Sequence, residues 1–464
     1  MFRNFGVVRS MSVLCATWAL AACGGGGGDD RREGPAAPAT DCSVAGQQAW
    51  LGNYMDDWYL WYRISPRPSA ASYSTVESYF DALLYTGTSS AFPADRWSYS
   101  QSTESFNRFF GDGATLGYGV AVNGIEVDGV AGRPLYVRYV EPASPAVAAG
   151  VRRGDQIISV NGRSADSVVA ANDYSALTPA QAGDTLRLVL RRSGVERSIN
   201  LTAAVFSLTP VQGASIGTTP RGRRLAYLQV KDMVSQALAP MDAAFVQFKA
   251  AGVQDLVLDL RYNGGGLVST GATLASYIAG ARGNGLNYAR LLYNDKRAAS
   301  NNQNFDFSQP AAALGLPRVY VLSGPRTCSA SEQLINGLRG AGVDVVSIGD
   351  TTCGKPVGFL PSSSCGRTYS AVNFESVNQR NEGRYFDGFK ASCSVPEDFT
   401  AGQGDATDPL MAAAATLADG GVCATAHTPT GAQTSERATA LAQRRAEGAR
   451  RVREPDESQG MVAR

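Results

Sequence analysis

Histidine is nearly absent. The single one, His427, falls in a Thr/Pro/Gly stretch near the end of the chain. A Ser-His-Asp triad would have to draw its base from that polar segment. Lysine is scarce as well: Lys231, Lys249, Lys296, Lys355 and Lys390 are the only ones among 42 basic residues, the rest being arginine. The formal net charge of +1 leaves no broad basic surface, so nucleic acid is not an expected partner. No C-x-x-C pair occurs and the one histidine, His427, stands near a single cysteine, Cys423, so zinc lacks a ligand set; neither metal nor cofactor is expected. No apolar run reaches the roughly 20 residues of a membrane span.

What is present begins with an export signature. Arg3 and Arg9 form a positive start, "MSVLCATWALAA" is a short apolar run, and small residues precede Cys23. "LAAC" at 20–23 resembles the bacterial lipobox, which implies cleavage before Cys23 and lipidation of that cysteine, with "GGGGGDD" as a flexible tether. Gly24, where inner-membrane retention is associated with aspartate, leans toward the outer membrane. The expected location is therefore the bacterial cell envelope, lipid-anchored and facing the periplasm. There disulfides persist. Besides Cys23, six cysteines remain: Cys42, Cys328, Cys353, Cys365, Cys393 and Cys423. Six allow 15 pairings, and spacing selects none.

The texture of the chain changes five times, giving a signal peptide (1–22), a lipidated tether (23–42), a helical region (43–111), a strand-rich region (112–206), an α/β region (207–423) and a polar, disordered tail (424–464). In the helical region Trp50, Tyr54, Trp58 and Trp61 share helical spacing and read as a core stripe, and Ser74 reads as the cap of a second helix. The strand-rich region carries "SPAVAAGVRRGDQIISVNG" at 144–162, a short helix, turn and strand. That segment resembles a PDZ domain, which implies that Gly117, Tyr118 and Gly119 form the loop holding a peptide C-terminus and that ligands add as a strand to an open sheet edge. In the α/β region, buried-type runs such as "DLVLDL" alternate with helical patterns, one of them over 235–251 interrupted at Pro240. The expectation is a parallel or mixed sheet with covering helices.

Chemistry concentrates in the α/β region. Ser329 follows a strand and a short loop and opens "ASEQLINGL", a helix start where free N–H groups favour developing negative charge; it reads equally as a nucleophile or as a cap. "DLRYNGGG" at 259–266 offers backbone N–H donors without side chains, as an oxyanion hole requires. Unless His427 folds back from the tail, a lysine made neutral by burial can serve as the base, which arginine cannot because it stays protonated. Lys355 in "TTCGKPVGF" follows the strand "DVVSIGD", which is expected to run beside the strand leading to Ser329. The absence of an S-x-x-K tetrad excludes the β-lactamase type of site.

A PDZ segment, "DLRYNGGG", "TCSASE" and "CGKPVG", in that order, resemble the carboxyl-terminal processing (tail-specific) serine proteases over about residues 112–417. The resemblance implies a ClpP/crotonase-like α/β protease core, a β-rich PDZ domain and a small N-terminal helical domain. It implies Ser329 as nucleophile, Lys355 as base, and the N–H groups of Ala330 and of Gly265 or Gly264 as oxyanion donors. Expected partners are protein or peptide substrates with exposed C-termini, captured by the PDZ domain, and the membrane through Cys23. Three departures stand out. Phe359 replaces a glutamine that orients the lysine in many relatives, Pro356 replaces a glycine, and Cys328 replaces an alanine, a bridge to Cys353 being one of the pairings left open. Asn373, Glu375 and Asn378 are candidates for orienting Lys355 instead. The alternative is a catalytically inactive, PDZ-containing peptide-binding lipoprotein.

Overall fold

The computed structural model describes residues 36–127, 132–423 and 460–463. The expected signal peptide, Cys23 and His427 lie outside the described residues. Among those described, no helix is long and apolar enough to cross a membrane.

The N-terminal region opens with a helix at Val44–Trp58, where Ser43 Oγ accepts the Gly46 N–H. Tyr54 and Trp58 are buried on its inner face. Trp61, expected on the same stripe, lies beyond the helix end but is buried in the same cluster. The second helix spans Val76–Leu83, and its cap is Thr75 rather than Ser74. Thr75 Oγ1 accepts the Ser78 N–H at 3.1 Å, a reach that Ser74, one residue further back, does not have. The Cys42–Cys365 disulfide pins the start of this region to the Ser362–Ser364 and Arg367–Ser370 hairpin.

The β-rich domain is built on period-two alternation. In the strand Thr185–Arg192, Leu186, Leu188 and Leu190 are fully buried while Arg187 points to solvent. Its sheet runs in the order Val120–Val122, Leu135–Val140, Gln156–Val160, Thr185–Arg192, Val195–Thr202, antiparallel throughout.

Two sheets make the α/β region. The first has six strands, ordered Val211–Thr218, Arg224–Val230, Asp255–Asp259, Arg318–Ser323, Asp344–Gly349, Cys393–Ser394. Only the Val211–Thr218 edge is antiparallel. Every residue of Asp255–Asp259 is buried, as a central parallel strand covered on both faces requires. The expected neighbourhood holds: Arg318–Ser323, which leads to Ser329, pairs in parallel with Asp344–Gly349, which leads to Lys355. Pro240 does not interrupt a helix. It lies in the first turn of Leu238–Ala250, after a short 3-10 turn at Ser235–Ala237, where a missing N–H leaves no bond unmade.

The second sheet corrects the reading of the tail as disordered to its end. Its order is Gln303–Asp306, Asn287–Tyr293, Phe374–Val377, Val357–Phe359, Met461–Val462. The last strand comes from the far end of the chain and runs parallel to Val357–Phe359. A two-residue strand carries no periodicity in sequence. It owes its conformation to the edge it pairs with.

Candidate active site

Ser329 is the N-cap of the helix Ala330–Gly340 and has φ 61° and ψ −114°. A non-glycine residue at positive φ is strained, and such strain is characteristic of a serine held on a sharp strand-to-helix turn. The residue is fully buried. Its hydroxyl oxygen accepts the Met461 N–H at 2.5 Å. Ser331 plays a different part: its hydroxyl donates to the Asn263 carbonyl at 3.0 Å.

The serine and lysine loops meet on one carboxyl group. Glu332 Oε2 accepts the main-chain N–H of Ser329 at 3.0 Å and that of Lys355 at 2.8 Å. Its Oε1 accepts the Gly354 N–H at 2.8 Å and the Thr352 hydroxyl at 2.5 Å. Burial pushes the Glu332 carboxyl up from its ordinary value, opposed by these four donors. The Cys328–Cys353 disulfide ties the same two loops covalently, with Cα atoms 5.2 Å apart. Cys328, Glu332 and Cys353 also bring three ligand-type atoms together. The two sulfurs are bonded to each other, which removes them as metal ligands.

Lys355 is 5% exposed. Its Nζ lies 4.2 Å from the centroid of the Phe359 ring, so the residue standing in place of the glutamine is packed directly against the amine. The three side chains expected to orient Lys355 are engaged elsewhere. Asn373 accepts the Leu360 N–H and donates to the Trp58 carbonyl. Glu375 pairs with Arg384 at 2.9 Å. Asn378 donates to Asn336 and Glu382.

The glycine loop abuts the serine. A Cβ on Gly265, whose φ is +114°, would come within 2.9 Å of both the Ala330 nitrogen and Ser329 Cβ. The Gly265 N–H donates to Asn263 Oδ1 at 2.8 Å, and Gly264 is half-buried beside it. Asn263 had not been singled out in the sequence, yet it ties this loop down. Its Nδ2 donates to the Val230 carbonyl, and its own carbonyl accepts the Cys328 N–H. The network behind the loop is ionic: buried Arg261 bridges Asp259 and Asp408.

In the β-rich domain, Gly117 ends the strand Ala114–Gly117 and pairs with Ala204. The Tyr118 carbonyl accepts the Ala146 N–H and the Gly119 carbonyl accepts the Glu141 N–H, both at 3.0 Å. This loop leads into Val120–Val122, and that strand touches the serine loop through a residue sequence reading missed. Arg326, three positions before Ser329, donates from Nη2 to the Val122 carbonyl at 3.2 Å and pairs with Glu126 at 3.1 Å. Burial alone would raise the Glu126 carboxyl, but Arg326 and Arg138 outweigh it and hold it below the ordinary value.

At the end of the chain, Gly460 lies against the lysine. A Cβ there would come within 2.1 Å of Lys355 Nζ. Ser329 and Lys355 thus flank one peptide bond, Gly460–Met461, with the serine oxygen at its nitrogen and the amine beside its preceding residue.

Comparison with known proteins agrees with this architecture. The model for Peptidase family S41 matches residues 224–368, that for the Peptidase S41 N-terminal domain matches 46–99, and that for the PDZ domain matches 136–192. The chloroplastic C-terminal processing peptidase of Tetradesmus obliquus is 28% identical over 254 residues, covering 52% of each chain. The carboxy-terminal processing protease CtpA of Bacillus subtilis is 26% identical over 232 residues, covering 50% of this chain and 46% of that one. The chain spans about half the length of these curated relatives. An S41-family crystal structure from Bacteroides fragilis superimposes with a TM-score of 0.61 at 25% identity, over 80% of this chain and 97% of that one. The chain thus carries a peptidase family S41 domain, preceded by an S41 N-terminal domain and a PDZ domain.

Proposed function

We propose that the protein is a serine endopeptidase of the bacterial cell envelope, working through a Ser329/Lys355 dyad on proteins recognised by their C-terminal tails. The observation that carries this reading is that Ser329 and Lys355 flank a single peptide bond while their loops share the Glu332 carboxyl. In this reading the Lys355 amine, withdrawn from water, is neutral and takes the Ser329 proton as Oγ attacks the carbonyl carbon. The N–H groups of Ala330 and Gly264 receive the oxyanion, since the Gly265 N–H, the donor favoured in the sequence, is already given to Asn263 Oδ1. The protonated amine then gives its proton to the leaving nitrogen, and later activates water to release the acyl group. The PDZ loop at 117–119 would hold the substrate's C-terminus, and the Arg326 contact offers a route from that strand to the serine loop. Cys23 would carry the lipid anchor, with the outer membrane favoured.

The test is incubation of the purified protein with an unfolded protein bearing an apolar tail, followed by mass spectrometry of the fragments. Fragments from the parent and none from Ser329→Ala are expected. Equal binding and no fragments from either would select the inactive peptide-binding reading.

A further inference from the structure

Residues 460–463 are held at the site on both edges. On one side Gly358 lies opposite Met461 and Phe359 opposite Val462, and the Ala463 N–H donates to the Phe359 carbonyl at 3.0 Å. On the other side the Val462 N–H donates to the Gly266 carbonyl at 2.9 Å, and Leu267 bridges Val462 in parallel register. Backbone pairing of this kind grips an extended peptide whatever its sequence, and the side-chain pockets then select. Two such pockets are filled. Met461 is fully buried, its Sδ 3.2 Å from Gln333 Nε2. Val462 is fully buried among Phe106, Phe109, Phe110, Val234 and Leu267. The three phenylalanines come from the segment leading into the PDZ domain, so this second pocket is closed between regions of the chain.

We propose that this cleft is the binding site for the residues on the leaving side of the cut bond, and that the chain's own Gly460–Ala463 segment occupies it in cis. It takes an unbranched apolar side chain first and a β-branched apolar one second. A substrate therefore has to displace the segment before Ser329 is free to attack, because the Met461 N–H already uses the serine oxygen as its acceptor. Glycine at 460 permits the close fit, since any side chain there would collide with Lys355 Nζ. This inference rests on the protease reading for the naming of the cut bond, but its binding site can be measured without turnover.

The experiment uses the full chain carrying Ser329→Ala and a fluorescent peptide of sequence Gly-Met-Val-Ala-Arg, read by anisotropy. Val462→Asp would place a carboxylate among phenylalanines and release the segment, so the peptide should bind at least about ten-fold more tightly than to the Val462 chain. Met461→Asp should do the same, and Val462→Ile should leave binding weak. Equal binding across these chains, or none to any of them, overturns the inference. The same substitutions with Ser329 intact separate the two readings. Tighter peptide binding with no cleavage of an unfolded protein keeps the occupied cleft and ends the protease reading, whereas cleavage with unchanged peptide binding does the reverse.

Discussion

Replacing Glu332 by glutamine tests how the two loops are held together. The carboxyl group takes four hydrogen bonds, two on each oxygen, from Ser329 N, Lys355 N, Gly354 N and the Thr352 hydroxyl. A glutamine of the same shape keeps one accepting oxygen and turns an amide NH2 toward the other two donors. Whichever way the amide lies, two buried donors lose their acceptor. At about 1–3 kcal/mol for each stranded group, the expected loss of stability is about 2–6 kcal/mol. The pair on Oε2 belongs to the serine and the lysine themselves. Even about 3 kcal/mol of lost positioning would slow turnover by about a hundred-fold. The assay is kcat and KM for an unfolded protein substrate, at a temperature where urea titration shows the variant still folded. The disulfide continues to join the loops, so the expected result is a lower urea midpoint and a fall in kcat with little change in KM. A variant with the parent's kcat and midpoint would refute the argument that this carboxyl aligns the site.

Two further outcomes follow from the same geometry. Gly265→Ala should lower kcat by about a hundred-fold or more, because its Cβ would come within 2.9 Å of the Ala330 nitrogen at a backbone φ of +114°; an unchanged rate would remove this loop from the reaction. Glu126, held below its ordinary value of 4.5 by Arg326 and Arg138, stabilises the contact between the PDZ strand and the serine loop fully above that pH and loses the contribution as pH falls through its folded value. The difference in urea midpoint between the parent and Glu126→Gln should therefore be present at neutral pH and shrink as the medium is acidified below the ordinary value of 4.5; a gap that does not narrow in acid would contradict this.

Local chemistry was legible in the sequence where it is carried by neighbouring residues. The strand–loop–helix around Ser329, the glycine run and the scarcity of lysine pointed to the residues that meet here. The helix start at Ser329 was visible. That the Glu332 carboxyl grips Gly354 and Lys355 was not, since those partners lie more than 20 residues on from it. Arg326 and Glu126 are 200 positions apart, and no local pattern links them. Pro240 and Thr75 shifted helix starts by small amounts, because a first turn tolerates proline and a cap is chosen by which oxygen reaches the third N–H. The segment Gly-Met-Val-Ala at 460–463 gave no signal, because its strand exists only through the edges on either side.

The most direct test of the central claim is turnover by Lys355→Arg in the full chain, with folding checked by urea titration. The arginine keeps about the same length but stays protonated, so it cannot act as a neutral base. The account predicts a folded protein that releases no fragments from an unfolded substrate; cleavage at the parent rate would contradict it.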